Sequence, residues 1–367
     1  MVLGFLAFSS QANASVYTFT DLGTLGGYSS TASAVNSLGQ VVGNSGTGMG
    51  FTSAFVTGPN GTDMSRLTFF SQSHGLAYGI NNTGQVVGAA DTGNASHAFI
   101  TGANGAGMRD LAIFGGTNSV ATAVNDSAQV VGYGWTDGGN HAFITGPNGV
   151  GVTDLGTLGE CCSYANGVNS SGQVVGYFGT SNGSSHSFLT GPNGIGVTDL
   201  GTLGGLWSRA TGVNNLGQVI GFFGVANGGE HAYVTGSNGI GVTDLGAFGG
   251  GSSTAYGINN TGRVVGESYT PNGPRAFITD PTGKSMIDLN TMVKMADGVY
   301  LKQAMGINDS GQIIANGSDY HAYLLTIAPV PEPETYALML AGLSMICFVA
   351  RRRSNKRRTN GNHSQPR

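Results

Sequence analysis

The chain has 367 residues, of which 65 are glycine and only 9% are charged; because Gly is about 1 kcal/mol worse than Ala in a helix interior, this composition argues against a helical fold. Apolar residues make up 40%, and Val, Ile, Phe, Tyr and Thr recur in short runs bounded by Gly, Asn, Ser and Pro, the pattern of strands and turns. Between positions 15 and 328 seventeen acids face eight bases, about −9, which argues against a nucleic-acid partner, since phosphate contacts need Lys and Arg.

At the N-terminus Val2 to Phe8 is a short apolar run, and Ala12-Asn13-Ala14 before Ser15 has the small-x-small pattern of a signal-peptide cleavage site. Residues 1–14 therefore read as a signal peptide. The basic segment that should open it is missing, so the true start is expected upstream. The alternative is an ordinary buried N-terminal strand.

Residues 15–328 are built from repeats. An element of the form Gly-Val-Asn-x-x-Gly-Gln-Val-Val-Gly places its Asn at Asn36, Asn81, Asn125, Asn169, Asn214, Asn259 and Asn308, with spacings of 45, 44, 44, 45, 45 and 49. In the unit from Ala165 to Leu200, four strand-like pieces are separated by turns. Asn169-Ser170-Ser171-Gly172 and Pro192-Asn193-Gly194 each carry Asn to shape the turn and Gly to take positive φ. Four antiparallel strands in about 45 residues is the size of one β-propeller blade, so the expected fold is all-β: a seven-bladed β-propeller.

The ends of the array predict how it closes. Its first piece, Val16 to Leu22, matches the fourth strand of a unit, and its last, His321 to Thr326, matches the third. The N-terminal strand is therefore expected to complete the final blade. Small residues at Ala121, Ala123, Ala165, Gly167, Ala210 and Gly212 fit an innermost strand crowded at the axis. That order puts the uniform Asn-x-x-Gly and Pro-Asn-Gly turns on one face and the variable loops on the other.

The unit also carries His97-Ala98-Phe99 and His141-Ala142-Phe143, with variants at His186, His231 and His321, while Ser53 and Arg275 replace the His in two units. In this it resembles the HAF extracellular repeat over most of the region from Tyr17 to Thr326.

Repeated residues are poor catalytic candidates, since a catalyst is needed once and a structural residue once per blade. Asp110, Asp154, Asp199, Asp244 and Asp288, like the repeat histidines, are expected to be structural. No H-E-x-x-H or P-loop pattern occurs, so no catalytic residue, cofactor or metal is assigned. The side chains that do vary on the loop-rich face are Tyr28, His74, Trp135, Asp137, Trp207, Tyr269 and Tyr300. Rings set among Asn, Ser and Gly form the candidate binding face, suited to stacking on sugars; the alternative is that they cover blade cores. Three cysteines, two of them adjacent, argue against a disulfide framework. Cys161 and Cys162 read either as a vicinal disulfide or as two free thiols.

At the C-terminus Pro331-Glu332-Pro333 precedes an uncharged run over 335–350 and then Arg351-Arg352-Arg353. Sixteen helical residues span about 24 Å, short of a bilayer core of roughly 30 Å unless flanking Arg side chains snorkel. The run reads as a single transmembrane helix with a basic cytoplasmic tail and outward-facing repeats. Pro-Glu-Pro, a short apolar helix and an Arg cluster in this order resemble the PEP-CTERM sorting signal of Gram-negative bacteria, here 329–367. That resemblance implies an exosortase as partner, transient anchoring in the inner membrane, and export to the cell surface or extracellular matrix, usually in organisms that make exopolysaccharide.

The expected function is a sorted surface protein whose repeats are a non-enzymatic binding or structural module, with exopolysaccharide or another surface protein as partner. The rival is an exported propeller glycosidase or lyase using non-repeated acids such as Asp137, Glu160, Glu230 or Glu267. Glycoside hydrolysis would need two carboxylates about 5–9.5 Å apart.

Overall fold

The computed structural model describes residues 16–69, 74–115, 118–226, 228–329 and 339–351, so the signal-peptide reading of 1–14 lies outside the described residues. Seven four-stranded antiparallel sheets account for the repeats. In blade 4 the strands run Ser163–Val168, Val174–Gly179, Ser185–Thr190 and Val197–Gly201, each paired to the next. Asn169 shapes the first turn: its Oδ1 accepts from the backbone N–H of Ser171 (3.1 Å) and Gln173 (3.0 Å). Gly172 takes φ 76° there, and Asn193-Gly194 takes φ 54° and 74° in the other uniform turn, conformations that Gly and Asn adopt at least cost.

The apolar cores lie between blades. Val131, Ala142 and Ile144 of blade 3 pack with Ala165, Val174, Phe178 and Phe188 of blade 4. Small residues do line the innermost strand. A Cβ on Gly167 would stand 3.2 Å from the Cα of Gly212 in blade 5, so crowding at the axis keeps this position small.

Closure follows the expected split. Strand Tyr17–Asp21 pairs antiparallel with Ala322–Ile327, Tyr17 opposite Ile327 and Asp21 opposite Tyr323, as the fourth strand of blade 7. A ring of buried asparagines ties the blades together on the uniform face. Asn36 Nδ2 donates to the carbonyl of Asn81 (3.1 Å), and the same bond recurs around the ring until Asn308 Nδ2 returns to Asn36 O (2.9 Å).

Residues 328–367 form a separate unit. Its described part is a thirteen-residue helix over 339–351, about 20 Å long at helical rise. No helix among the described residues is long and apolar enough to cross a membrane. Of the sorting residues only Arg351 is described; Pro331, Glu332, Pro333, Arg352 and Arg353 lie outside the described residues, as do the first four positions of the expected span.

Candidate functional site

The repeated His and Asp pair within blades. His97, His141, His186 and His231 contact Asp110, Asp154, Asp199 and Asp244 at 2.6–3.0 Å through Nδ1. His321 reaches Asp21 of the closing strand at 2.9 Å. Each pair joins the third strand to the fourth, and the Asp also accepts the backbone N–H two residues on, as Gly156 donates to Asp154 (2.7 Å). Where His is replaced, Arg66 Nε donates to Ser53 Oγ (2.8 Å), and the Arg275 guanidinium lies 4.0 Å from the Tyr300 ring centre.

What breaks the sevenfold pattern is the wall of the axial opening and its rim on the loop-rich face. Counted from the repeat Asn, the position five before reads Thr31, Leu76, Val120, Tyr164, Arg209, Thr254 and Gln303; the position eight after reads Asn44, Ala89, Tyr133, Tyr177, Phe222, Glu267 and Asn316. The second position of one blade meets the first position of the next. Tyr133 meets Tyr164 edge-on with ring centres 4.9 Å apart, Arg209 Cζ lies 4.7 Å over the Tyr177 ring, and Gln303 Nε2 donates to Glu267 Oε2 at 2.9 Å. One side of the ring is therefore aromatic and cationic, the other polar and acidic.

On the aromatic side a cleft of about 430 Å³ opens between blades 4 and 5. Tyr164 and Tyr177 stack at 4.9 Å and 20° along one wall, and continue toward Tyr133 of blade 3 and Tyr78 of blade 2. Trp207, braced edge-on by Phe222 at 5.7 Å, forms the facing wall. Arg209 lies against both walls, 5.4 Å from Trp207 as well as 4.7 Å from Tyr177, within the usual range of cation–π attraction. Thr180, Ser184, Ser185 and the two adjacent cysteines complete the rim.

Burial raises the phenols of Tyr78, Tyr133, Tyr164 and Tyr177 above the ordinary tyrosine value, so they are neutral hydrogen-bonding groups at physiological pH. Burial likewise raises Tyr233 in the core. Above pH 10 the unfolded chain loses these protons before the folded one does, so stability is full below about pH 10 and falls as pH rises through the folded values. Urea midpoints measured from pH 8 to 11 are expected to drop only in the upper part of that window; a flat profile would contradict the assigned burial.

Of the seven residues expected on the binding face, Trp207 alone lines this cleft. The others are spread around the ring: Tyr28 in blade 1 is 98% exposed, Trp135 in blade 3 is 53% exposed, and Tyr269 in blade 6 is 47% exposed. Asp137 sits in the two-residue turn between Thr136 and Gly139, His74 meets Phe51 at a tilt with ring centres 5.0 Å apart, and Tyr300 lies under Arg275. Cys161 and Cys162 are thiols with sulfurs 2.9 Å apart, and their mutual hydrogen bond, then burial, pushes the Cys161 thiol up.

The four acids of the rival reading are placed differently from one another. Asp137 and Glu160 are exposed on separate loops, and Glu230 begins a strand of blade 5. Glu267 is buried, with Tyr256 Oη donating to its Oε1 at 2.5 Å and Gln303 to its other oxygen. Burial first, and Glu267 second, raises the Tyr256 phenol. Among the described residues no group of His, Cys, Asp and Glu is arranged to hold a metal ion.

Sequence reasoning missed Tyr133, Tyr164, Tyr177 and Arg209 because they lie inside strands. Their signal is that they vary at positions whose neighbours, such as Ser163, Ala165 and Gly176, repeat from blade to blade.

Solved propellers resemble this architecture. TolB from Acinetobacter baumannii aligns at TM-score 0.50 and 11% identity over 66% of this chain, which covers 61% of TolB. YCF48 bound to D1 peptide aligns at 0.53 and 12% identity, over 86% of this chain and 96% of that one. The β-propeller domain of the Trilobed protease from Pyrococcus furiosus aligns at 0.53 and 9% identity, over 79% and 89%. These likenesses establish the fold alone. That protease domain has an open velcro topology, whereas here the first strand closes the last sheet. No curated protein matches the chain. Residues 329–353 match the PEP-CTERM protein-sorting motif, so the chain carries the signal for exosortase-sorted export.

Proposed function

We propose that the chain is a cell-surface or extracellular-matrix protein whose propeller is a non-enzymatic binding or structural module, with exopolysaccharide as its candidate ligand. The sorting motif at 329–353 delivers it. The run 335–350 holds it transiently in the inner membrane with the Arg cluster on the cytoplasmic side, and the repeats, which resemble HAF extracellular repeats, face outward. The observation that carries the binding reading is the asymmetric wall: an otherwise repeated frame brings Tyr164, Tyr177, Trp207 and the Arg209 cation together in one open cleft. Against the glycosidase or lyase reading, Glu267 has both oxygens engaged by Tyr256 and Gln303, and Asp137 and Glu160 stand on separate loops.

Delivery is tested by replacing Arg351, Arg352 and Arg353 with Gln. The variant is expected to accumulate as unprocessed precursor in the membrane fraction, with little reaching the surface. Normal surface delivery would remove the exosortase from the reading. The rival enzyme is tested by incubating the protein with polysaccharide: reducing ends released by the wild type and lost in Glu267→Gln would replace the binding module by a hydrolase.

A further inference from the structure

We infer that the cleft between blades 4 and 5 binds a sugar unit bearing a carboxylate, of the uronic acid class. This deepens the binding-module reading and rests on it. The inference starts from Arg209. Between positions 15 and 328 acids outnumber bases by seventeen to eight, yet no hydrogen bond or ion pair engages the Arg209 guanidinium among the described residues; it lies instead against the faces of Tyr177 and Trp207. A guanidinium pressed between rings keeps its N–H edges free in the plane, and those edges match a carboxylate in a bidentate pair.

The rest of the lining points to a saccharide. Trp207, Tyr164 and Tyr177 offer flat apolar surfaces to the C–H face of a pyranose, and Thr180, Ser184 and Ser185 set hydroxyls along the rim. Tyr164 Oη is already fixed by Asn140 Nδ2 at 3.0 Å, which steadies that wall. Among the described residues no aliphatic side chain lines the cleft, so they offer no pocket in which a peptide would anchor Leu or Val. With one cation among neutral groups, the cleft reads a single carboxylate and does not grip a densely charged polyanion.

The test is calorimetric titration of the full-length protein, purified in detergent, with tetragalacturonic acid and with its methyl ester, which keeps the sugar and removes the charge. The acid is expected to bind at least about tenfold more tightly than the ester, the ratio that loss of one charge-assisted pair gives. Arg209→Gln should lose about tenfold on the acid and erase the acid–ester difference, with Arg209→Lys restoring part of it. Trp207→Ala should weaken acid and ester alike. Arg66→Gln, far from the cleft, should change neither, and unfolding midpoints confirm that each variant is folded. Equal binding of acid and ester, or a folded Arg209→Gln with unaltered affinity, overturns the inference. Tighter binding of neutral oligosaccharides, or of a short peptide ending in Asp, overturns it while leaving a binding module in place. If no glycan and no peptide binds, both this inference and the binding-module reading fall.

Discussion

Asn169→Ala is expected to destabilise the propeller by about 3 kcal/mol or more, although the side chain removed is small and polar. Asn169 is 3% exposed. Its Oδ1 satisfies the N–H groups of Ser171 and Gln173 and the Ser171 hydroxyl, while its Nδ2 serves Gln173 Oε1 at 2.7 Å and, across the blade boundary, Asn214 O at 3.1 Å. Truncation leaves two part-buried backbone donors and one buried carbonyl without partners, at roughly 1–3 kcal/mol each before relaxation. The neighbouring Ser170→Ala removes an exposed hydroxyl and should change stability by less than about 0.5 kcal/mol. Urea unfolding followed by circular dichroism measures both. A loss below 1 kcal/mol for Asn169→Ala would mean that the ring does not hold the blades together.

The same residue marks how far the sequence could be read. That Asn opens a turn is visible locally, from Asn and Gly three positions apart. That its amide also bridges to the next blade is not visible, because the acceptor lies 45 residues away at the same place in the repeat. Blade number, strand count and the split closing blade were all legible, since each is a matter of counting repeated pieces and matching the two ends. The candidate site was legible only at Trp207 and at the adjacent Cys161 and Cys162, which stand in variable loops. Tyr164 and Arg209 occupy strand positions between buried Ser and Ala residues, where period-2 alternation alone reads as an outward face. Only the packing of blade against blade turns those positions toward a neighbour's Tyr133 or Tyr177. Glu267 was named from sequence as a possible catalyst, but its bond to Tyr256 depends on a strand pairing within its own blade and its bond to Gln303 on the next blade meeting it. The tail was readable for another reason: its signal is linear order, which needs no fold.

Deleting residues 16–22 is expected to have the largest effect of all, abolishing the single cooperative unfolding transition and leaving an aggregation-prone protein. The segment is short, but it joins the first and last blades. Tyr17 and Leu22 are both buried; Leu22 packs with Ala32, Val41 and Phe55 of blade 1 and with Leu324 of blade 7. At about 2 kcal/mol for each buried side chain, the apolar loss alone is a large part of the stability of a marginally stable domain. Five paired residues along Ala322–Ile327 would also lose their partners, exposing an apolar strand edge ready to pair with another molecule. Phe19→Ala is the graded comparison: Phe19 is 38% exposed and touches Tyr323 edge-on at 5.7 Å, so it should lower stability by only about 1 kcal/mol and keep the protein monomeric. Size-exclusion chromatography and urea unfolding distinguish these outcomes. Adding the seven-residue peptide Val16 to Leu22 to the freshly refolded deletion variant should restore part of the cooperative transition, because the vacated edge has its pairing register built in. A deletion variant that stays monomeric and unfolds at the wild-type midpoint would show that the last blade is complete without its fourth strand, and the closed-ring account would be wrong.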